Sequence, residues 1–561
     1  MVSDTETPRR GGVTGWLGRV LRYDLPGAWV ALVFTLLSFT PSLLPRPPEF
    51  QGLLVGMNAA LGYLFGVTGA WVWREFADRG KKPPRPWAWR AFWITTALTV
   101  IAAIVIGERW QREMRDLVGL PGVSPVRLAM IPLLAAPMFV LLVGVGRAFR
   151  WVYRRISALL QRLMGERAAR ALGLVALVVV TLLLASGVLW DAAIRFADRT
   201  YALQDQSTPA GLDRPESPLR SGSPDSALEW DELGREGRVF TGGGPSVEQI
   251  ADFTGREAME PIRIYSSLAS GEDVEERAAL AVLDLQRAGG FRRSSLLIVT
   301  TTGTGWVEPS STASFEYLNG GDSAIVSMQY SYLPSWLSFL VDEERARDAG
   351  RELFDAVYET WLRIPAEERP KLYVFGESLG SFGGETAFSG EADMRNRLDG
   401  ALFVGAPNSN ELYRRFVDRR DPGSTEVEPV FREGRTVRFS TRAREGIPPE
   451  DLPWRRTRVL YLQHPTDPIT YWSPNLLFNR PDWLEEPRGR DVLPEMQWIP
   501  VVTFWQVTAD MALCFSMPPG HGHTFTGEHV DGWNAVMQPE GWTPESLDAL
   551  RLRIRGEEGR E

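Results

Sequence analysis

Residues 371–384 read KLYVFGESLGSFGG, and this stretch predicts the fold of the carboxyl-terminal half. The apolar run at 372–375 is typical of a buried strand, and Gly376, Ser378 and Gly380 follow it directly. A G-x-S-x-G pattern between a strand and a helix start rich in small residues is typical of a sharp turn that lifts a serine above a sheet. We therefore predict that Ser378 is a nucleophile; the alternative is a purely structural serine.

Other apolar runs alternate with amphipathic stretches on both sides of this motif. We expect strands within residues 261–268, 294–302, 324–331, 400–407 and 457–465, and helices at 275–290 and 346–364. Strands that alternate with helices predict a mostly parallel sheet covered on both faces, which makes the second half an α/β domain. Active sites in such sheets lie beyond the carboxyl ends of the strands, so the residues that follow each strand are the candidates.

A carboxylate follows the strand predicted at 457–465. Asp467 lies where an acid that orients a histidine is expected, and the alternative is an Asp-Pro turn or a helix cap. His464 precedes this acid, which is the wrong order for a base, so we expect it to pack or to hydrogen-bond locally.

The base is expected near the carboxyl end, in the segment Pro-Gly-His-Gly-His at 519–523. The order serine, aspartate, histidine is that of the α/β-hydrolase fold. We favour His523, because it directly precedes the segment leading into the helix predicted at 530–537; His521 is the alternative, and His529 a weaker one. A metal bound by His521 and His523 is a further reading, but the only nearby further ligands are Glu528 and His529.

Two backbone regions are candidates for an oxyanion hole. The Leu379 N–H follows the nucleophile at a helix amino terminus, where it points toward developing negative charge. The loop Gly303, Thr304 and Gly305 follows an earlier strand, and its glycines let the backbone approach a substrate. The alternative for this loop is a tight turn that needs glycine.

The first 200 residues differ sharply from the rest in charge and hydropathy. They carry 24 basic and 12 acidic residues, a net charge of +12, whereas the remainder carries 37 basic and 58 acidic residues, a net charge of −21. The acidic half argues against a nucleic-acid partner, and the basic half suits anionic lipid headgroups. Five apolar stretches approach the length that crosses a bilayer: about 28–45, 52–73, 90–107, 128–146 and 171–190.

The loops between these stretches predict an orientation. Basic residues concentrate before the first stretch, at 74–90 and at 147–170, while the other two connections carry fewer. The positive-inside rule then places the amino terminus in the cytoplasm and, after an odd number of helices, the catalytic domain outside the cell membrane. No acidic or basic residue lies centrally in any stretch, which favours an anchor or a lipid-access platform over a transporter.

A polar segment separates the two halves. Residues 204–226 are rich in Pro, Ser, Gly and Asp and read as a linker, which gives predicted domains of 1–200, with about five membrane helices, a linker at 201–235 and a catalytic domain at 236–561. The glycine-rich turn at 241–245 is not read as a phosphate loop, because no Lys-Ser/Thr pair follows it.

Several runs together resemble the actinobacterial-type membrane α/β-hydrolase family, in which a multi-pass amino-terminal region precedes the hydrolase domain. They are TTTGTGWVEP at 300–309, QYSYLPSWLS at 329–338, GESLGSFGGE at 376–385, SPNLLFNRPDWL at 473–484, PVVTFWQVTADM at 500–511 and PPGHGH at 518–523. The resemblance covers nearly the whole chain and implies an α/β-hydrolase fold with a serine nucleophile, carried here by Ser378. It implies no particular substrate.

The function expected from these features is a membrane-anchored serine hydrolase that cleaves a carboxylic ester through a Ser-His-Asp triad, without a cofactor or metal. The membrane region, 21 Trp residues and apolar runs such as 333–337 favour a lipidic ester, as for an esterase or lipase, and membrane lipids as partners. One alternative is an acyltransferase that uses the same triad with an alcohol acceptor. Another is a non-catalytic protein that binds lipid or assists transport.

Overall fold

The computed structural model describes residues 23–80, 82–341 and 343–558. The amino-terminal arginines on which the orientation partly rests, and Lys81, lie outside the described residues.

The amino-terminal half is helical. Its helices are α1 Leu25–Leu37, α2 Pro48–Phe76, α3 Pro86–Leu117, α4 Met130–Leu160, α5 Glu166–Ser186 and α6 Val188–Asp205, with a short 3₁₀ turn, Pro125–Ala129, leading into α4. Three spans in the described residues are long and apolar enough to cross a membrane: Pro48–Phe76, Pro86–Leu117 and Pro125–Leu160. On α3, Ile94, Leu98, Ile101 and Val105 are exposed at helical spacing, an apolar stripe that suits lipid rather than water.

The first apolar stretch differs from the prediction. Helix α1 ends at Leu37, and its 13 residues reach only about 20 Å, which is short of the ~30 Å hydrocarbon core. Ser38 Oγ donates to Phe34 O and Thr40 Oγ1 donates to Leu37 O at the helix end, and Pro41 has no N–H to continue the helix. The rest of this stretch leaves the helix and packs on the catalytic half.

The carboxyl-terminal half is built on one sheet of seven strands. They are β1 Ile262–Ser266, β2 Ser295–Thr300, β3 Ser323–Met328, β4 Lys371–Glu377, β5 Gly400–Val404, β6 Val437–Ser440 and β7 Arg458–Leu462. Their order is β1-β3-β2-β4-β5-β7-β6, and every neighbouring pair is parallel, which confirms the predicted parallel α/β sheet. The strand cores are buried on both faces. Because all strands are parallel, their carboxyl ends meet at one edge of the sheet.

Helices surround this sheet. They are α7 Gly234–Gly242, α8 Val247–Thr254, α9 Val274–Ala288, α10 Pro309–Leu318, α11 Ser335–Val341, α12 Glu343–Leu362, α13 Leu379–Glu385, α14 Glu391–Arg397, α15 Glu411–Asp418, α16 Pro468–Tyr471, α17 Val502–Met511, α18 Glu528–Met537 and α19 Pro544–Glu558. The predicted helices correspond to α9, α12 and α18. Strand β6 was not predicted, because its four residues include Arg438 and form no extended apolar run.

Part of the segment read as a linker lies against the sheet edge. Ser221 N donates to Arg263 O, Arg263 N donates to Leu219 O, and Ser221 is buried. Residues 219–221 therefore pair in parallel with β1 at the edge of the sheet.

The two halves contact each other through a loop between α1 and α2. Leu43 and Leu44 are buried in an apolar cluster with Trp483, Val507 and Cys514 of the catalytic half. The main-chain N–H groups of Leu43 and Leu44 both donate to Asp510 Oδ2, at 3.1 and 3.3 Å. The carboxyl part of the first apolar stretch thus belongs to the core beneath α17 rather than to a membrane span.

A buried ion pair reinforces this contact. Arg46 Nε lies 3.3 Å from Asp510 Oδ1, and both side chains are fully buried. Leu120, in the loop after α3, packs against the same apolar cluster as Leu43. The loop between α1 and α2 and the loop after α3 therefore both lie on the side of the helical half that faces the catalytic half.

Candidate active site

The predicted nucleophile lies at the turn between β4 and α13. Ser378 has φ 52° and ψ −124°, a conformation that a residue with a side chain adopts only at a cost of roughly 1–3 kcal/mol. Its N–H donates to Val404 O at the end of β5, at 2.8 Å, which fixes the turn against the neighbouring strand. This strained turn holds Ser378 at the carboxyl edge of the sheet, where the sequence placed it.

The glycines of the motif permit this turn. A Cβ on Gly376 would lie 2.4 Å from Gly380 O, and a Cβ on Gly380 would lie 2.4 Å from Thr300 O. Both contacts are with backbone atoms, which have little freedom to move, so a side chain at either position would force the helix away from the strands. The G-x-S-x-G pattern is therefore a packing requirement here.

Asp467 and His523 form a buried pair. Asp467 Oδ2 lies 2.6 Å from His523 Nδ1, while Oδ1 accepts from Ile469 N at 2.9 Å. Thr470 Oγ1 also lies 3.3 Å from Oδ2. A carboxylate that faces Nδ1 holds the hydrogen of the neutral imidazole on that nitrogen, which leaves a lone pair on Nε2.

His523 is held above the ends of β4 and β5. A Cβ on Gly405, the residue after β5, would lie 2.3 Å from His523 Cε1, so the imidazole rests on this glycine. His523 Nε2 is buried and has no hydrogen-bond partner among the described residues. Because Ser378 is tied to Val404, the residue before Gly405, the histidine and the serine lie over adjoining strand ends.

The position directly before His523 requires a glycine. Gly522 has φ +57°, a region that side chains rarely adopt, and a Cβ there would lie 2.7 Å from Cys514 O. Its N–H donates to Thr466 Oγ1 at 2.9 Å, and His523 N donates to Cys514 O at 3.0 Å. These bonds tie the histidine loop to the segment that carries Asp467.

The candidate oxyanion groups lie in the loop after β2 and directly after Ser378. In the first loop, Gly305 N donates to Thr302 O at 3.1 Å and Gly303 N faces Ser335 Oγ at 3.3 Å. Among the described residues, the N–H groups of Thr304 and Leu379 have no protein acceptor. The Cβ contact of Gly380 with Thr300 O shows that the end of β2 lies directly beside the start of α13.

The geometry agrees with two sequence comparisons. Residues 262–550 match an alpha/beta-hydrolase family, and residues 39–245 match the N-terminus of an alpha/beta-hydrolase family. The chain belongs to the α/β-hydrolase family. Comparisons with curated proteins and with solved structures gave no match.

In this α/β-hydrolase, all four histidines face carboxylates. His523 faces Asp467. His521 is partly exposed, and its Nδ1 lies 3.0 Å from Oδ2 of a different acid, Asp491. The structure therefore brings Asp467 to His523 and not to His521. His464 Nε2 lies 2.9 Å from Glu528 Oε2, its Nδ1 lies 2.9 Å from Gly522 O, and its ring stacks on Phe525 at 4.0 Å.

The site of this hydrolase is almost closed to solvent. Ser378 is 7 % exposed and His523 is 3 % exposed, whereas Phe515, whose ring centre lies 5.1 Å from that of His523, is 61 % exposed. Burial acts to lower the pKa of His523, but the carboxylate and hydrogen bond of Asp467, followed by the charge of Glu377, outweigh it and raise the pKa above its ordinary value. The histidine is thus set up to accept and hold a proton.

Sequence reasoning missed a second buried network beside this site. Glu377, directly before Ser378, lies 2.8 Å from His529 Nε2, and His529 Nδ1 lies 2.7 Å from Ser310 Oγ. The only sequence signal was a glutamate after the apolar run at 372–375. Across the described ranges, no group of three or more His, Cys, Asp or Glu residues is arranged to hold a metal ion.

Proposed function

We propose that this α/β-hydrolase is a membrane-anchored serine hydrolase that cleaves a carboxylic ester. The observation that carries the proposal is the strained Ser378 over the end of β4, beside a buried His523 whose Nδ1 faces Asp467 and whose Nε2 has no partner in the described chain. A serine in such a turn and a histidine oriented by a carboxylate are the elements of acyl transfer through a covalent intermediate.

The proposed reaction has two halves. Nε2 of His523 takes the hydroxyl proton of Ser378 as Oγ attacks the ester carbonyl carbon, and Asp467 stabilises the imidazolium. The N–H groups of Leu379 and Thr304 stabilise the oxyanion, and Gly303 and Gly305 let the loop approach the substrate. His523 then returns the proton to the leaving alcohol, and water releases the acid from the acyl-enzyme with the same histidine as base.

The position of the site supports a proposal for the substrate class. The apolar cluster that receives Leu43 and Leu44 from the helical half also contains Tyr471, four residues after Asp467, and Cys514, whose carbonyl oxygen accepts from His523 N. The triad segments therefore share a core with the loop that joins α1 to the first candidate membrane span, α2. This placement supports a lipidic ester that reaches the site from the bilayer.

The side of the membrane is also a proposal. The catalytic half packs on the loop at 38–47 and, through Leu120, on the loop after α3. If α2, α3 and α4 each cross, the loops at 77–85 and 161–165 lie on the opposite face, together with the basic end of α4, and α5 must then cross back to reach the catalytic half. The positive-inside rule places that basic face in the cytoplasm, so the catalytic domain lies outside.

A fluorophosphonate probe, which reacts with activated serines, tests the proposal. The full-length chain in detergent should be labelled, and Ser378→Ala, His523→Ala and Asp467→Asn should lose labelling or label far more slowly. His521→Ala should keep it, because His521 faces Asp491. Lipid esters offered with and without a long-chain alcohol then separate hydrolysis from acyl transfer: free acid indicates a hydrolase, and a new ester indicates an acyltransferase. A folded wild-type chain that is not labelled would contradict the proposal.

A further inference from the structure

A chain of four buried side chains runs beside the proposed triad. Glu377 Oε2 lies 2.8 Å from His529 Nε2, His529 Nδ1 lies 2.7 Å from Ser310 Oγ, and Ser310 Oγ lies 2.6 Å from Glu308 Oε1. None of the four residues is more than 7 % exposed. The proposed mechanism uses none of them, although Glu377 is bonded directly to the nucleophile residue.

The number of available hydrogens limits how these side chains can be hydrogen-bonded. Ser310 has one hydroxyl hydrogen, and its short approach to Glu308 Oε1 uses it. His529 Nδ1 must therefore donate to Ser310 Oγ, and Nε2 must donate to Glu377 if both glutamates are carboxylates. A neutral imidazole has only one N–H, so it can donate to only one of these two partners.

His529 also connects two parts of the site. It lies in the first turn of α18, six residues after His523, while Glu377 is the last residue of β4. Its neighbour Glu528 faces His464, which lies two residues after β7. Two adjacent residues at the start of α18 thus form reciprocal glutamate–histidine pairs with the ends of two different strands.

We propose that His529, Glu377 and Ser310 form a positioning unit, which fixes the loop carrying His523 relative to the turn carrying Ser378 and holds Glu377 beside the base. This inference rests on the proposed function, since it concerns the same site. His529 and Ser310 are positioning residues and not catalytic ones, because they are buried and act through Glu377.

The charged groups around His523 give the unit a measurable effect. His523 is surrounded by the carboxylates of Asp467 and Glu377, which raise its pKa, and by His464, which acts against them. The neighbours of His529 include Glu377, Ser310 and the ring of Phe375, with Glu308 beyond the serine. Removing the Glu377 charge should therefore lower the pKa of His523, whereas replacing His529 by a neutral hydrogen-bond donor should not.

The rate of fluorophosphonate labelling, measured against pH on the full-length detergent-solubilised chain, tests this inference. Glu377→Gln and His529→Gln should each slow labelling between a few-fold and about 100-fold, because small displacements of reacting groups have effects of this size. Glu377→Gln should also move the midpoint of the pH profile to lower pH, since the rate depends on neutral His523. His529→Gln, whose amide still donates to Glu377, should not move it downward.

Two further variants separate positioning from general stability. Ser310→Ala removes the acceptor of His529 Nδ1 and should slow labelling less than His529→Gln, and it serves if His529→Gln does not fold. Ser221→Ala removes a buried serine hydroxyl that faces Asp284 at the far sheet edge, and it should lower thermal stability without changing the rate or the midpoint.

The results discriminate between this inference and the proposed function. An unlabelled wild-type chain contradicts the proposed function. If the wild-type chain is labelled through Ser378 but folded Glu377→Gln, His529→Gln and Ser310→Ala variants keep its rate and midpoint, the positioning unit is refuted and the proposed function stands.

Discussion

Asp467 Oδ2 lies 2.6 Å from His523 Nδ1, and this contact joins the end of β7 to a loop near the carboxyl terminus. Both side chains are buried, so the pair is shielded from solvent and its charge interaction is strong. The carboxylate also accepts from Ile469 N, which fixes its orientation independently of the histidine.

Substituting this acid tests its role without a change of size. Asp467→Asn should slow fluorophosphonate labelling by about 10³–10⁴-fold, because an amide at this position favours the wrong tautomer of His523. The measurement is the second-order labelling rate at neutral pH. Asp491→Asn, which alters the acid facing His521, is the matched control and should stay near the wild-type rate. Equal effects of the two substitutions would contradict the assignment of His523 as base.

The pH dependence of labelling should reflect the raised pKa of His523. The neutral imidazole is the base, so the rate should rise with pH and reach half its maximum above the ordinary histidine pKa of about 6.5. The stability of the fold should change with pH in the opposite direction. The ion pair between His523 and Asp467 contributes fully to stability below the ordinary histidine pKa, and this contribution is lost as pH rises through the raised pKa of His523. A labelling midpoint below pH 6 would contradict this account.

The buried contact between the two halves should contribute strongly to stability. Arg46→Met leaves Asp510 buried without its cation, which should cost about 3–5 kcal/mol. Thermal unfolding in detergent should show a large decrease for Arg46→Met and a smaller one for Arg46→Met combined with Asp510→Asn. Arg109→Met, which breaks the exposed pair with Glu113, should change stability by at most about 1 kcal/mol. Equal melting temperatures for Arg46→Met and Arg109→Met would contradict a buried pair.

Cysteine accessibility tests the proposed orientation. The single native cysteine, Cys514, is buried, so new exposed cysteines can be followed against a low background. In intact cells, a membrane-impermeant maleimide should label Asp225→Cys, in the linker segment that packs on the catalytic half, but reach Gly80→Cys, in the basic loop, only after lysis. The reverse pattern would place the catalytic domain in the cytoplasm and contradict the positive-inside argument.

The sequence predicted most of the sheet because parallel strands buried on both faces are continuous apolar runs, as at 296–299 and 372–375. It missed β6, whose short run contains Arg438, and it extended the first apolar stretch beyond Leu37. Leu43 and Leu44 do not contact lipid, because they are buried in the apolar core next to α17. Hydropathy alone does not distinguish these two environments.

The candidate site was only partly predictable for a related reason. Ser378 has a local signature, because its turn requires glycines at fixed positions. His521 and His523 occupy nearly equivalent glycine-flanked positions, and only the packing of Gly405 and Asp467 distinguishes them. The link between Glu377 and His529 joins residues 152 positions apart, which no local pattern reveals.

The most direct test of the central claim is fluorophosphonate labelling of the full-length chain and of Ser378→Ala, side by side in detergent. The account predicts that the wild-type chain is labelled, that the modified peptide contains Ser378, and that Ser378→Ala is folded but unlabelled. A folded wild-type chain without label, or label that persists in Ser378→Ala, would contradict the claim that Ser378 is the nucleophile of a serine hydrolase.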